Sequence, residues 1–67
     1  MNWDIIEGKW DQLKGQAQQK WGELTDDEWD QISGKKTELA GKLQEKYGIT
    51  KYKAERQITE WEAELKN

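Results

Sequence analysis

Gly8-Lys9-Trp10-Asp11-Gln12-Leu13-Lys14-Gly15 returns 26 positions later as Gly34-Lys35-Lys36-Thr37-Glu38-Leu39-Ala40-Gly41. The echo runs on through Gln18/Gln44, Lys20/Lys46, Trp21/Tyr47 and Gly22/Gly48, and after one dropped residue Thr25 answers Thr50. Each copy reads as a helix, a glycine stop, a short loop with a threonine cap, and a second helix. A unit of this kind cannot bury its apolar stripe alone, so two such units have to share one core. The repeat therefore predicts an all-α chain of four helices forming two α-hairpins, about 2–33 and about 34–66, within a single domain spanning 1–67. Crosswise packing is expected, because the second helix is too short for a parallel bundle of equal helices.

The periodicity around the repeat supports this. Trp3, Ile6, Trp10, Leu13, Ala17 and Trp21 recur every three or four residues. At about 100° per residue they fall within about 80° of one another, so one helix is expected from Trp3 to Trp21. Asn2 is placed to cap its start and Gly22 to end it. Thr25-Asp26-Asp27-Glu28 has the spacing of a capping box, with Leu24 as one half of a hydrophobic staple. The short helix that follows points Trp29 and Ile32 inward, and Ser33-Gly34 loosens or ends it. A third helix from Lys35 to Tyr47 carries Leu39, Leu43 and Tyr47 on one face and stops at Gly48. Thr50 opens the fourth, whose stripe is Ala54, Ile58, Trp61 and Leu65, with Lys66 suiting its negative end. The expected core is Trp10, Leu13, Trp21, Leu39, Leu43, Tyr47, Ile58 and Trp61.

Gly15 and Gly41 fall inside helices, where glycine costs about 1 kcal/mol relative to alanine. With Gly8 set at 0°, Gly15 lies near 340°, away from Leu13, Ala17 and Trp21 at about 140–220°. Three accounts are open: contact with neighbours on two sides, the preferred one; a deliberately soft helix; or a flat outer face kept for a partner. Lys9, Lys20, Lys35, Lys42 and Lys46 line the edge of that face.

Composition removes whole classes of function. The chain has no Cys and no His, which excludes zinc fingers, disulfides and thiol or imidazole catalysis. Residues 1–20 lack the charged-then-apolar layout of a signal peptide and no apolar run reaches membrane-spanning length, so a soluble intracellular protein without a membrane role is expected. Leu and Ile number ten of 67 residues and Val and Phe are absent. Five Trp and two Tyr make up the difference, and a marginally stable fold resting on its tryptophans follows. Net charge is −3, but residues 1–33 hold three Lys against eight acids and residues 34–67 hold seven Lys and Arg56 against six. That polarity suits a weak oriented contact, or two copies meeting head to tail.

Chemical motifs are sparse. Asp26, Asp27, Glu28 and Asp30 lack the alternating spacing and central Gly of a calcium loop and read as capping. Gly34-Lys35-Lys36-Thr37 lacks the upstream glycine of a phosphate loop. No cofactor is expected. Trp29 is the one tryptophan whose helix is short enough to leave it partly exposed as a contact site.

Taken together, Gly8-Lys9-Trp10, Trp21-Gly22-Glu23-Leu24-Thr25-Asp26-Asp27, Gly34-Lys35, Leu39-Ala40-Gly41-Lys42-Leu43-Gln44, Tyr47-Gly48, Ala54-Glu55 and Trp61-Glu62 closely resemble the CsbD-like family of small bacterial stress-response proteins. The resemblance implies a cytoplasmic protein made under stress and a fold of two orthogonal α-hairpins, SAM-domain-like and built from a duplicated helix-hairpin-helix. It implies no enzymatic activity and supplies no active-site residues. The expected function is thus non-enzymatic, exercised through weak protein or solvent contacts or self-association. The helix-hairpin-helix likeness raises an alternative, weak nucleic-acid contact through residues 48–56. There Lys51, Tyr52 and Lys53 follow a glycine turn and a Thr cap. Lys35 and Lys42 are further candidates for such contacts.

Overall fold

In a computed structural model residues 2–65 are described, and all regular structure among them is helical. In chain order the helices are α1 (Trp3–Gly8), α2 (Trp10–Lys20), α3 (Asp26–Ile32), α4 (Lys36–Tyr47) and α5 (Lys51–Glu64). The four expected helices are present, with the first divided in two; Lys66 lies outside the described residues.

The division falls at Lys9, which leaves helical geometry (φ −110°, ψ 24°) while its N–H still donates to Ile5 O and Ile6 O at 3.0 and 3.1 Å. Gly8 immediately precedes the break, and a residue without Cβ resists such unwinding least. Periodicity could not reveal this, because Trp3, Ile6 and Trp10 face the core on both sides of it.

The caps follow the local sequence closely. Asn2 Oδ1 accepts from Ile5 N–H at 3.0 Å, and Thr50 Oγ1 accepts from Lys53 N–H at 3.1 Å. At α3 the capping box is complete: Glu28 N–H donates to Thr25 Oγ1 at 3.2 Å, and Thr25 N–H donates to Glu28 Oε1 at 2.9 Å. Gly48 ends α4 in the left-handed region (φ 62°). Gly22 does not do the same for α2. Trp21 is the C-cap there at φ −122°, and Gly22 keeps a negative φ.

Gly48 and Gly34 both hold a left-handed conformation that a side chain would strain, and at Gly34 the space is closed as well. The φ of Gly34 is +78°, and a Cβ there would stand 3.2 Å from Glu7 Cα and from Trp10 Cβ and Cγ. Its carbonyl also accepts the Trp3 indole N–H at 2.6 Å. The turn after α3 is thereby pressed against the α1–α2 break.

One core cluster draws on both halves of the chain, from Ile6 to Trp61. Its centre is a closed circuit of five indoles. Ring centroids are 6.4 Å apart for Trp3–Trp10, 6.0 Å for Trp10–Trp29 and 6.5 Å for Trp29–Trp21. Trp21–Trp61 at 5.6 Å and Trp61–Trp3 at 6.1 Å close it. All five pairs lie in the range where tilted aromatic contacts are favourable. Trp29, expected to face inward and also considered as a partly exposed contact site, is fully buried, since α3 is short enough to drop its indole between Trp10 and Trp21.

Tyr47, expected in the core, is 38% exposed. It sits in the last turn of α4, and its hydroxyl accepts from Glu23 N–H at 3.2 Å, which keeps the ring at the surface. The account of Gly15 and Gly41 by contact on two sides is also overturned. A Cβ at either position would meet nothing within 4 Å.

Ion pairs tie the helices at the rim: Lys14–Asp30 at 3.1 Å, Lys36–Glu62 at 3.3 Å and Lys46–Glu28 at 3.1 Å. Glu28 combines two jobs, capping α3 and holding α4. The Thr25 backbone N–H first, and then the Lys46 ammonium, keep its carboxyl below the usual glutamate range against an opposing push from burial.

Gly41→Ala and Gly15→Ala should each raise stability by about 1 kcal/mol, seen as a rise of roughly 4–8 °C in Tm for a domain of this size. Gly34→Ala should lower it by at least about 1–2 kcal/mol, the cost of a left-handed non-glycine residue. Unfolding in urea should also depend on Glu28. A lowered folded-state pKa contributes stability that is present above the ordinary glutamate range and lost as pH falls through the lowered value. Glu28→Gln should therefore flatten part of the acid limb of a stability–pH profile, while the wild type keeps the full slope.

Candidate functional surface

Two features of the α4–α5 half are open to a partner. The first is the opening turn of α5. Lys51, Tyr52 and Lys53 are all exposed there, Tyr52 by 74%. Thr50 uses its hydroxyl on the Lys53 N–H, so the turn is rigid although its side chains are free of the core. Unlike α3, whose first turn holds Asp26, Asp27 and Glu28, this turn holds no acid. Two ammonium groups thus stand at the positive end of the helix dipole, an arrangement that repels cations and favours anions. Lys35, at the N-cap of α4, is likewise exposed.

The second feature is a groove of about 300 Å³ between α4 and α5. Thr37, Ala40, Gly41 and Gln44 line it from α4, and Lys51 and Glu55 from α5, with Lys36 at one end. Its existence depends on Gly41, whose missing side chain leaves the wall open. The flat-face account of the mid-helix glycines pointed here. The residues across the groove were not legible, because α5 reaches Gly41 only through the turn at Gly48. A larger hollow of about 440 Å³ follows the α1–α2 break, and its lining is mainly charged and amide side chains, among them Glu7, Asp11, Gln12, Lys14 and Asp30.

Several expected contact residues serve the fold instead. Trp29 is inside the indole circuit. Lys42 is held at 3.9 Å from both Glu28 and Glu45, with its side chain only 25% exposed. The acidic cluster is also engaged: Asp26 accepts from Gln18 Nε2 and Asp30 pairs with Lys14, each at 3.1 Å. Among the described residues, no three acidic side chains are arranged to hold a metal ion. No helix among them is long and apolar enough to cross a membrane. The arrangement can offer an aromatic ring flanked by ammonium groups, and a shallow slot beside it.

Comparison with known proteins agrees with the duplicated pattern. The family model described as CsbD-like matches residues 4–56. A UPF0337 protein of Rhodopirellula baltica is 73% identical over 63 residues, covering 94% of this chain and 93% of the relative. One from Mesorhizobium japonicum is 59% identical over 61 residues, 91% of each chain. Another from Xanthomonas axonopodis pv. citri is 49% identical over 67 residues, 100% of this chain and 97% of its own. No solved structure gives a significant match. With most of its length matched by the family model and whole-length relatives across bacteria, the chain belongs to the CsbD-like family.

Proposed function

We propose that the chain is a non-enzymatic bacterial stress-response protein of the cytoplasm that acts through weak contacts of its hydrated surface with other macromolecules. The observation that carries this reading is that every charged side chain among the described residues keeps contact with water, while most of the large apolar groups, Ile5, Tyr47 and Tyr52 apart, are gathered in one core. Acid–base catalysis needs carboxylates withdrawn into a cleft that shifts them. Here the one shifted carboxyl, Glu28, owes its shift to a helix cap and a lysine. Mean hydropathy is −1.29, so the surface is dense in groups that replace water around a neighbour as readily as they bind it. Contacts of that kind are broad, weak and screened by salt.

Drying a labile enzyme with and without the chain tests this. The chain should preserve more enzyme activity than an equal mass of an inert globular protein, and Lys51→Glu with Lys53→Glu should preserve it equally well. Protection no better than that of the inert protein would count against the proposal.

A second reading is favoured by one observation, the 74% exposure of Tyr52 between two lysines. An aromatic face with flanking cations suits a stacked base and its phosphates. If residues 48–56 bind nucleic acid, fluorescence anisotropy with mixed-sequence oligonucleotides should show affinity falling steeply with salt. Loss of Lys51 and Lys53 should then reduce the salt slope by about 2. Binding that is flat with salt, or absent, removes this reading.

A further inference from the structure

We propose that the α4–α5 groove receives α1 of a second copy of this chain, with Ile5 as the inserted side chain, so that copies associate head to tail. Among the described residues Ile5 is the one large aliphatic side chain left exposed, at 45%. It stands on α1 one helical turn before Gly8, where a Cβ would meet nothing within 4 Å, so an approaching helix finds a knob beside a bare backbone. The groove is the matching shape: about 300 Å³, floored by Ala40 and Gly41 and open because Gly41 has no side chain. Neither feature is occupied by the described residues of its own chain.

Charge selects the second copy over other occupants. Asp4 and Glu7 are both exposed on α1, which bears no cation in its last turn. The groove rim carries Lys51, with Lys35 nearby at the start of α4. Lys9, four residues beyond Ile5, finds the opposite sign in Glu55 across the groove. The same polarity runs through the whole chain, −5 over residues 1–33 and +2 over residues 34–67. A contact between two different patches on identical copies does not close into a dimer, and it continues into chains unless the rotation forms a ring. One side chain in one groove is a small interface, so the association is weak and grows with concentration. It is independent of the protective role proposed above, and protection can fail without affecting it.

Sedimentation equilibrium on the full chain over a wide concentration range tests the inference. The weight-average mass of the wild type should rise with concentration past that of a dimer, and less steeply at high salt. Ile5→Glu, which removes the knob, and Gly41→Leu, which fills the groove with a good helix former, should each stay monomeric while keeping the wild-type circular dichroism spectrum. Mixing the two variants should restore one interface, the intact Ile5 of one in the intact groove of the other, and stop at a one-to-one dimer. A wild type that stays monomeric throughout would overturn the inference. So would association that survives both variants, or two variants that fail to combine.

Discussion

The closed circuit of Trp3, Trp10, Trp29, Trp21 and Trp61 is the interaction on which the rest of this molecule depends. Ten aliphatic Leu and Ile residues are few for a chain of 67, and large indoles replace the missing area. Because each indole touches two others, α1, α2, α3 and α5 are joined through aromatic faces, and α4 completes the core with Leu39, Ala40 and Leu43. The circuit is not free of cost. Trp10 and Trp29 bury their indole N–H groups without an acceptor among the described residues, which costs about 1–3 kcal/mol for each such group. Trp3 and Trp21 avoid that penalty by donating to Gly34 O and Gln57 Oε1.

Gly34 is where the circuit meets the backbone. Two consecutive residues in the left-handed region, Ser33 and Gly34, fold the chain back after α3. That fold brings Gly34 close enough to accept from Trp3 and to lie against Trp10. The break at Lys9 belongs to the same joint, since the indoles of Trp3 and Trp10 engage Gly34 from the two sides of it. The duplication has diverged at this level. Trp21 is in the core while its counterpart Tyr47 lies at the surface, bonded through its hydroxyl to the backbone of Glu23. Gly48 caps α4 in the left-handed region, while its counterpart Gly22 lies beyond Trp21, the C-cap of α2.

With four indoles buried in the core and Trp3 half-buried against it, most of what remains for contact is polar, shallow and charged. Glu28 shows how the fold absorbs groups that would otherwise read as a site: one carboxylate caps α3, accepts from Thr25 and draws in Lys46. Lys35, Lys51 and Lys53, exposed and in no ion pair among the described residues, gather around the start of α4 and of α5, with Lys9 alone in the first half. This sorting gives the surface a direction, acidic over residues 1–33 and basic over residues 34–67.

Local signals were legible in the sequence because they act over a few residues. Asn2, Thr25 and Thr50 cap where their side chains reach a free N–H, the capping box closes over four residues, and Gly48 ends α4 because a left-handed residue is needed there. The helical stripes and the internal sequence repeat followed from spacing alone, and the CsbD-like pattern followed from the same residues. What tertiary structure decided is which side of each marginal residue faces a neighbour. Trp29 goes inside and Tyr47 outside, Gly34 becomes a joint while Gly15 and Gly41 face open space, and Lys42 is drawn to Glu28. Spacing gives the angle of a side chain about its own helix, and burial depends on which other helix occupies that angle. That is settled only when the five indoles, distant in sequence, close on one another.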